Sequence, residues 1–378
     1  ELIAGLKKQP DRVVTNLKSN RVTFRNLKLP TRDKKAIQSS VRFEIEDDLP
    51  FEEDQLIYDW VNLGSVGVET AIHVAATLKS NVAEYLALLG DSGMEPDILT
   101  TEASAYRALF KKISSGLAIT DRPVMLVNLG HERTTIYVQH NGNPVLCREI
   151  AWGSREITLA LSKRYNLTID AAEKAKIESG FVLPLSQMEQ VSEEQRDFAS
   201  SVYECLGSLI RDVKQADLSS KTVTAQRVGS IYLSGPTALL PGLSATFSEE
   251  LKISTHILRP LSSLGESRVT YSEQTDVRFP LALGLALAAT SPERSALINL
   301  RKKEFAKSSG GSSLNISAIS KPMQTLSVAM VLAILILYGQ STMIDLQMKD
   351  ASSSLEKATR NYFAGIAPGT LKNYLANT

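Results

Sequence analysis

Val127-Asn128-Leu129-Gly130-His131-Glu132-Arg133-Thr134-Thr135 joins the end of one apolar run to the start of another through a turn holding a glycine and two threonines. Backbone amides in such a turn, backed by hydroxyls, can cradle a phosphate, although the same residues also suit a plain hairpin. The flanks carry the reading further. Upstream, Val124 to Asn128 is a short apolar run bounded by Pro123 and Gly130, as a buried strand should be. Downstream, Thr134 to His140 and Pro144 to Ile150 flank Asn141-Gly142, the residue pair that favours a two-residue hairpin. Three antiparallel strands in a row are predicted.

Further along, Ser154 to Tyr165, Asp170 to Ser179 and Glu193 to Ala216 read as helices, Ser230 to Ser234 as a strand, and Gly242 to Leu251 and Phe279 to Thr290 as helices. Towards the N-terminus, Ile37, Val41, Ile45 and Leu49 recur every four residues, the stripe of an amphipathic helix that stops at Pro50. Strand-like runs follow at Leu56 to Leu63 and Ala71 to Thr77, then a helix from Asn81 to Leu89 closed by Gly90. The alternation predicts a small α/β lobe beside a larger one.

Composition limits the function classes. At roughly 150 residues per domain, 378 residues suit two lobes and an appendage. With 42 basic against 41 acidic side chains the net charge is +1, so no bulk field recruits nucleic acid. Two cysteines, Cys147 and Cys205, fit a reducing compartment. His73, His131, His140 and His256 are scattered without metal-ligand spacing, and no metal site is expected. The chain opens on Glu1 without a leader pattern and is expected to be a fragment whose true start is missing.

After Pro292 the composition changes. Arg301, Lys302, Lys303 and Lys307 lead into Ser308-Ser-Gly-Gly-Ser-Ser313, a linker by composition. Residues 322–344 contain no charge, and as a helix they would reach about 34 Å at 1.5 Å per residue, enough to cross a bilayer. The basic residues lie upstream, so the N-terminal part is expected in the cytoplasm and the tail beyond the membrane. In that tail Ile344, Met348, Ala351, Leu355, Ala358 and Tyr362 keep three- and four-residue spacing, the pattern of a short coiled coil.

Taken in order, these motifs resemble the actin-like family that includes FtsA, and within it the PilM and GspL branch. The resemblance rests on the turn at Gly130 with Thr134 and Thr135, on Arg148-Glu-Ile-Ala-Trp-Gly153-Ser154, and on Ala172-Glu173-Lys174-Ala175-Lys176. Gly235-Pro236 after the strand ending at Ser234, Phe43 to Pro50 with Asp59-Trp60, and Gly93 to Asp97 with Glu102 complete it. It implies an α/β, two-lobed actin-like cytoplasmic domain, followed by one transmembrane helix and a periplasmic coil. The boundaries it suggests are 1–18 for a remnant of the first subdomain, 19–95 for a small inserted α/β subdomain, and 96–298 for the remaining lobes. A juxtamembrane linker at 299–321, a span at 322–344 and the start of a coil at 345–378 would follow.

The resemblance implies ATP with Mg²⁺ as the ligand of active members, and a nucleotide site at Asn128, Gly130, Thr134, Thr135, Gly153, Ser154, Glu173, Lys176 and Gly235. Departures weigh against both ligands. Asn128 stands where the family has an aspartate near the metal, Ser154 replaces a second glycine, and Pro236 removes a backbone donor. Glu173 and Lys176 also suit an ordinary helix-surface ion pair. No catalytic residue is assigned, and the chain is not expected to be an enzyme.

The expected function is a non-catalytic inner-membrane scaffold of a type II secretion or type IV pilus machine, coupling the assembly ATPase (GspE- or PilB-like) to the membrane platform. The platform partners implied are GspM, GspF or PilN- and PilO-like proteins, with a homodimer of the chain itself. GspL, which holds domain and span in one chain, is the favoured branch, with a PilM–PilN fusion beside it. Glu44, Glu46, Asp47 and Asp48 form an acidic candidate docking surface, equally readable as a solvated helix end. The alternative is a nucleotide-switched ATP-binding protein of pilus assembly or cell division. A weaker third reading is a filament former.

Overall fold

The structure is a computed structural model describing residues 11–48, 50–117, 121–264, 271–290, 297–307 and 316–362, with Thr370 and Asn373. Side chains are described for these except at 46–48, 53, 316–329, 331, 359 and 362. The chain forms two compact units, residues 1–307 and 308–378.

In the first unit β1 (Val14–Leu17) precedes β2 (Thr23–Leu29), α1 (Lys34–Asp48), β3 (Leu56–Val66), β4 (Glu69–Leu78), α2 (Lys79–Asp91), β5 (Ile98–Thr101) and α3 (Glu102–Ile113). β6 (Val124–Leu129), β7 (Thr134–His140), β8 (Asn143–Ile150), α4 (Arg155–Tyr165), α5 (Ile169–Ser179) and α6 (Glu193–Thr224) follow. The unit ends with β9 (Ser230–Ser234), α7 (Leu243–Leu251), β10 (Ser254–Ile257), α8 (Pro260–Ser263), α9 (Glu273–Arg278), α10 (Pro280–Thr290) and an extended strap to Lys307.

The larger lobe is built on a five-stranded sheet ordered β10-β9-β6-β7-β8. β6 runs parallel to β9 and antiparallel to β7, and β7 pairs antiparallel with β8. Alternation along β6 sorts its side chains between two layers. Met125, Val127 and Leu129 join Ile157, Leu161, Leu206, Leu209 and Phe247 from α4, α6 and α7 on one face. Val124 and Leu126 join Tyr106, Leu109 and Phe110 of α3 on the other, with Leu283 and Leu287 of α10 packed alongside. The turn between β7 and β8 places Asn141 at φ 52° and Gly142 at φ 74°, the left-handed pair that such a hairpin needs.

A second, antiparallel sheet is ordered β2-β4-β3. One face receives Ile37, Val41 and Ile45 of α1, as the four-residue spacing predicts, while Leu49 lies outside the described residues. The other face packs on Val82 of α2, Leu99 of β5, and Ile298 and Leu300 of the strap. β5 pairs in parallel with β1, across more than eighty residues of sequence.

Two segments differ from the sequence reading. The linker expected from residue 299 opens with Leu300, which is wholly buried. In the second unit, span and coil are not separate elements: α11 (Ile316–Tyr362) is a single helix of 47 residues. Its described apolar side chains from Met330 through Ile336 to Leu355 are exposed. Among the described residues, no helix is long and apolar enough to cross a membrane. The expected span opens on residues 322–329, whose side chains lie outside those described.

Candidate functional site

The turn from Leu129 to Thr134 is closed by the Gly130 amide, which donates to the Arg133 carbonyl at 3.0 Å. The carbonyls of Gly130 and His131 then accept from the amides of Ser154 and Arg155, at 3.0 and 2.9 Å. The turn therefore lies directly on the start of α4, and only glycine fits beneath it: a Cβ on Gly153 would stand 2.2 Å from the His131 carbonyl oxygen. Thr134 is fully buried and donates its hydroxyl to the Trp152 carbonyl at 2.9 Å, which engages it inside the fold. Thr135, also buried, lies one residue on, in register with Glu149 of β8.

Asn128, the penultimate residue of β6, is half-buried. Its amide nitrogen donates to the Tyr106 hydroxyl at 2.9 Å, and its amide oxygen accepts from the Ser234 hydroxyl at 3.2 Å. Both ends of the side chain are thus taken by the two elements flanking it, α3 and β9. Gly235 turns the chain away at φ 84°, a conformation that disfavours a side chain, and a Cβ there would meet the Leu129 carbonyl oxygen at 2.3 Å. Burial raises the Tyr106 phenol well above its ordinary range, so it is neutral and remains a donor as well as an acceptor.

Ser154, Glu173 and Lys176 meet on the facing helices α4 and α5. Lys176 is 9% exposed and donates to Glu173 Oε2 at 2.7 Å, Thr158 Oγ1 at 2.8 Å, the Ser154 carbonyl at 3.2 Å and Ser154 Oγ at 3.3 Å. Thr158 donates to Glu173 Oε2 at 2.5 Å. Burial alone would raise the Glu173 carboxyl, but the Lys176 ammonium and the Thr158 hydroxyl outweigh it and hold the pKa below its usual value. The three ammonium protons are therefore matched by protein oxygens.

Ser154, Glu173 and Lys176 of this cluster line a cleft of about 500 Å³ together with Pro236, Thr237, Leu240, Gln274 and Arg278. The volume falls in the range of small-ligand sites. Gln274 and Arg278 were not legible in the sequence, because α9 has only six residues and no apolar periodicity. Tyr106 was missed although its signal was present: α3 carries Ala103, Tyr106, Leu109, Phe110 and Ile113 at helical spacing, and Thr101 caps it by accepting from the Ser104 amide.

A magnesium nucleotide would meet two unlike halves here. The cleft beside Glu173, Lys176, Gln274 and Arg278 fits a nucleoside in size and polarity. The phosphate and metal half fits poorly. Asn128 offers a neutral amide already engaged at both ends, the Gly130 turn is closed onto α4, and the Thr134 hydroxyl is held by Trp152. Among the described residues, no group of three or more His, Cys, Asp or Glu side chains could hold a metal ion. Of the acidic docking candidates, Glu44 is exposed on α1, and the side chains of Glu46, Asp47 and Asp48 lie outside the described residues.

A family model described as type IV pilus assembly protein PilM matches residues 1–290. Cell division protein FtsA of Borreliella burgdorferi (strain ATCC 35210 / DSM 4680 / CIP 102532 / B31) is 25% identical over 242 residues, covering 60% of this chain and 56% of that protein. The chain therefore spans little more than half the length of this curated relative. A solved structure described as a PilM-PilN type IV pilus biogenesis complex superposes with a TM-score of 0.60 at 22% identity, covering 74% of this chain and 80% of that one. At that identity the likeness is one of fold, and the fold is actin-like.

Proposed function

The chain belongs to the type IV pilus assembly protein PilM family, and from that membership we propose that it is a non-catalytic scaffold coupling a cytoplasmic assembly ATPase to a membrane platform. One observation carries the reading: the groups that would meet a nucleotide in an actin-like ATPase are already engaged by other side chains of the protein. Asn128 is held between Tyr106 and Ser234, and Lys176 between Glu173, Thr158 and Ser154. A site built this way stabilises one arrangement of α4, α5 and β6 rather than exchanging a charged ligand.

In this proposal α11 is the membrane anchor, with the first unit in the cytoplasm and the far end of the helix in the periplasm of a bacterial inner membrane. Support comes from the uncharged residues 322–344 and from the exposed apolar run Leu332 to Leu337. The chain's membrane partner is PilN-like, as in the solved complex that its fold resembles. Pairing through the apolar face of α11 gives a homodimer.

The test is recovery of an assembly ATPase with the full-length protein from detergent-solubilised membranes, alongside steady-state ATP turnover by the purified protein. Co-purification of the ATPase with no turnover by this chain is expected. Turnover abolished by Lys176→Ala, or recovery without any ATPase, sinks the scaffold reading. The cleft of about 500 Å³ favours one second reading, a protein switched by nucleotide binding without hydrolysis. Saturable ATP binding in the absence of turnover is its signature.

A further inference from the structure

One end of the small sheet presents apolar side chains and positive charge together. In the register of the sheet Leu29 of β2 faces Thr70 of β4, and Thr70 faces Ser65 of β3, so the last residues of β2 and the β3–β4 turn share that end. The turn stands clear of the core. Val66 is 83% exposed and Val68 72%, on either side of Gly67 at φ 59°. Just behind them the hydroxyls of Ser65 and Thr70 lie 3.1 Å apart and join the two strands, so the valines are carried on a closed ladder.

Basic residues surround this tip. Lys28 lies near the end of β2, Arg32 in the connection that follows, and Lys34 and Lys35 open α1, all four of them exposed. The acids at the same end are Asp33 and Glu69, and Asp33 is committed to the helix, accepting from the Ala36 amide at 2.9 Å. The two lysines stand where α1 gains nothing from them: the first turn of a helix is the positive end of its dipole and favours acids, and here it holds none. That placement directs the charge outward, to a partner. Glu44 is exposed towards the other end of the same 15-residue helix, roughly 20 Å long at 1.5 Å per residue, so charge is separated along the lobe.

We propose that this pole of the small lobe docks on an anionic bilayer surface, with Val66 and Val68 entering the headgroup region and Lys28, Arg32, Lys34 and Lys35 facing lipid phosphates. A bilayer supplies both complements at once, negative charge at its surface and an apolar layer beneath, whereas a nucleic acid would leave the valines in water. The tip is a projection rather than a groove, which suits a surface able to close around it. Each basic residue held near such a surface contributes about fivefold to binding, an effect that salt screens. Docked this way, the acidic end of α1 is turned away from the membrane. The proposal rests on the reading of α11 as an anchor, which brings the chain to a membrane whose cytoplasmic leaflet is anionic.

The test uses the full chain reconstituted into vesicles of dibrominated phosphatidylcholine, with or without one third phosphatidylglycerol. Tryptophan emission of Val66→Trp is compared with that of the unaltered protein, whose Trp60 and Trp152 give the background. Emission from the added tryptophan should be quenched at least twofold more in the anionic vesicles, and Lys34→Glu with Lys35→Glu in the same chain should remove the difference. That reversal suits the helix dipole, so its melting midpoint should not fall. Equal quenching in the two lipids, no quenching, or a difference that survives the reversal each overturns the proposal. Cross-linking between copies that the reversal abolishes, with no quenching, assigns the pole to a second copy instead. If Val66→Trp does not fold, Val68→Trp replaces it with the same outcomes required. Washing the same vesicles with alkaline carbonate reads α11 separately: retention without quenching removes the docking pole alone, and quenching without retention removes the anchor alone.

Discussion

The Glu102 carboxylate accepts from both the amide and the hydroxyl of Ser19, which ties the first turn of α3 to the turn between β1 and β2. The Ser19 hydroxyl also lies 3.1 Å from Cys147 Sγ on β8, so three elements from separate parts of the sequence meet at one buried point. The junction sits one turn of α3 away from Tyr106, which holds Asn128. Changes at the strap-bearing lobe and at the candidate site therefore share a helix.

Burial raises the Glu102 pKa, against the opposing effect of the Ser19 donors. A carboxyl whose folded pKa lies above its unfolded value contributes stability that is fully present below the unfolded pKa and is lost as pH rises through the folded one. Glu102→Gln keeps the shape and removes the titration. The gap in thermal midpoint between Glu102→Gln and the unaltered protein should widen in favour of the variant from pH 4 to pH 7. Parallel pH profiles would contradict this assignment.

Lys176→Met removes an ammonium with four oxygen partners and leaves Glu173 and Thr158 beside an apolar chain. Losing one partner of a largely buried pair costs several kcal/mol when both ions are enclosed, and Glu173 is a third exposed. A loss of about 2 kcal/mol in urea unfolding is expected. An unchanged midpoint would mean that the network does not hold α5 to α4.

Gly153→Ala places a methyl group against the His131 carbonyl, so either the Gly130 turn or the start of α4 must move. Overpacking of this kind costs about 1–3 kcal/mol. Circular dichroism melting should show a lower midpoint for Gly153→Ala, with little change for Gly142→Asn, where nothing lies within 4 Å of the added Cβ and asparagine tolerates φ 74° better than most residues. Equal midpoints for Gly153→Ala and the unaltered chain would show that the turn yields freely.

Local signals were legible and distant pairings were not. The Asn141-Gly142 turn, the stripe of α1 and the apolar run of β6 each carry their geometry within ten to fifteen residues, and each is found where the pattern put it. β1 and β5 have four residues apiece and acquire meaning only from each other. Residues 299–307 lead into the serine- and glycine-rich 308–313 and read as part of one linker, whereas the buried Ile298 and Leu300 with Asn299 decide the place of the strap. At the candidate site, Ser154, Glu173 and Lys176 come together. Thr134 does not join them, since its hydroxyl is engaged by the Trp152 carbonyl.

The membrane reading of α11 makes the sharpest demand. Leu335 lies near the middle of the uncharged residues 322–344, and its side chain is exposed on the helix. If that stretch spans a bilayer, Leu335→Arg brings a guanidinium to its centre at a cost of about 2.5–3.5 kcal/mol on insertion scales. In membranes washed with alkaline carbonate, the unaltered protein should stay in the pellet and the variant should shift partly to the supernatant. A second substitution, Leu355→Arg, lies beyond the expected bilayer and should change nothing, since an exposed helix surface in water accepts arginine readily. Release of the unaltered protein by the wash, or equal release by both substitutions, would remove the anchor from the proposed function and leave the actin-like body as its only supported part.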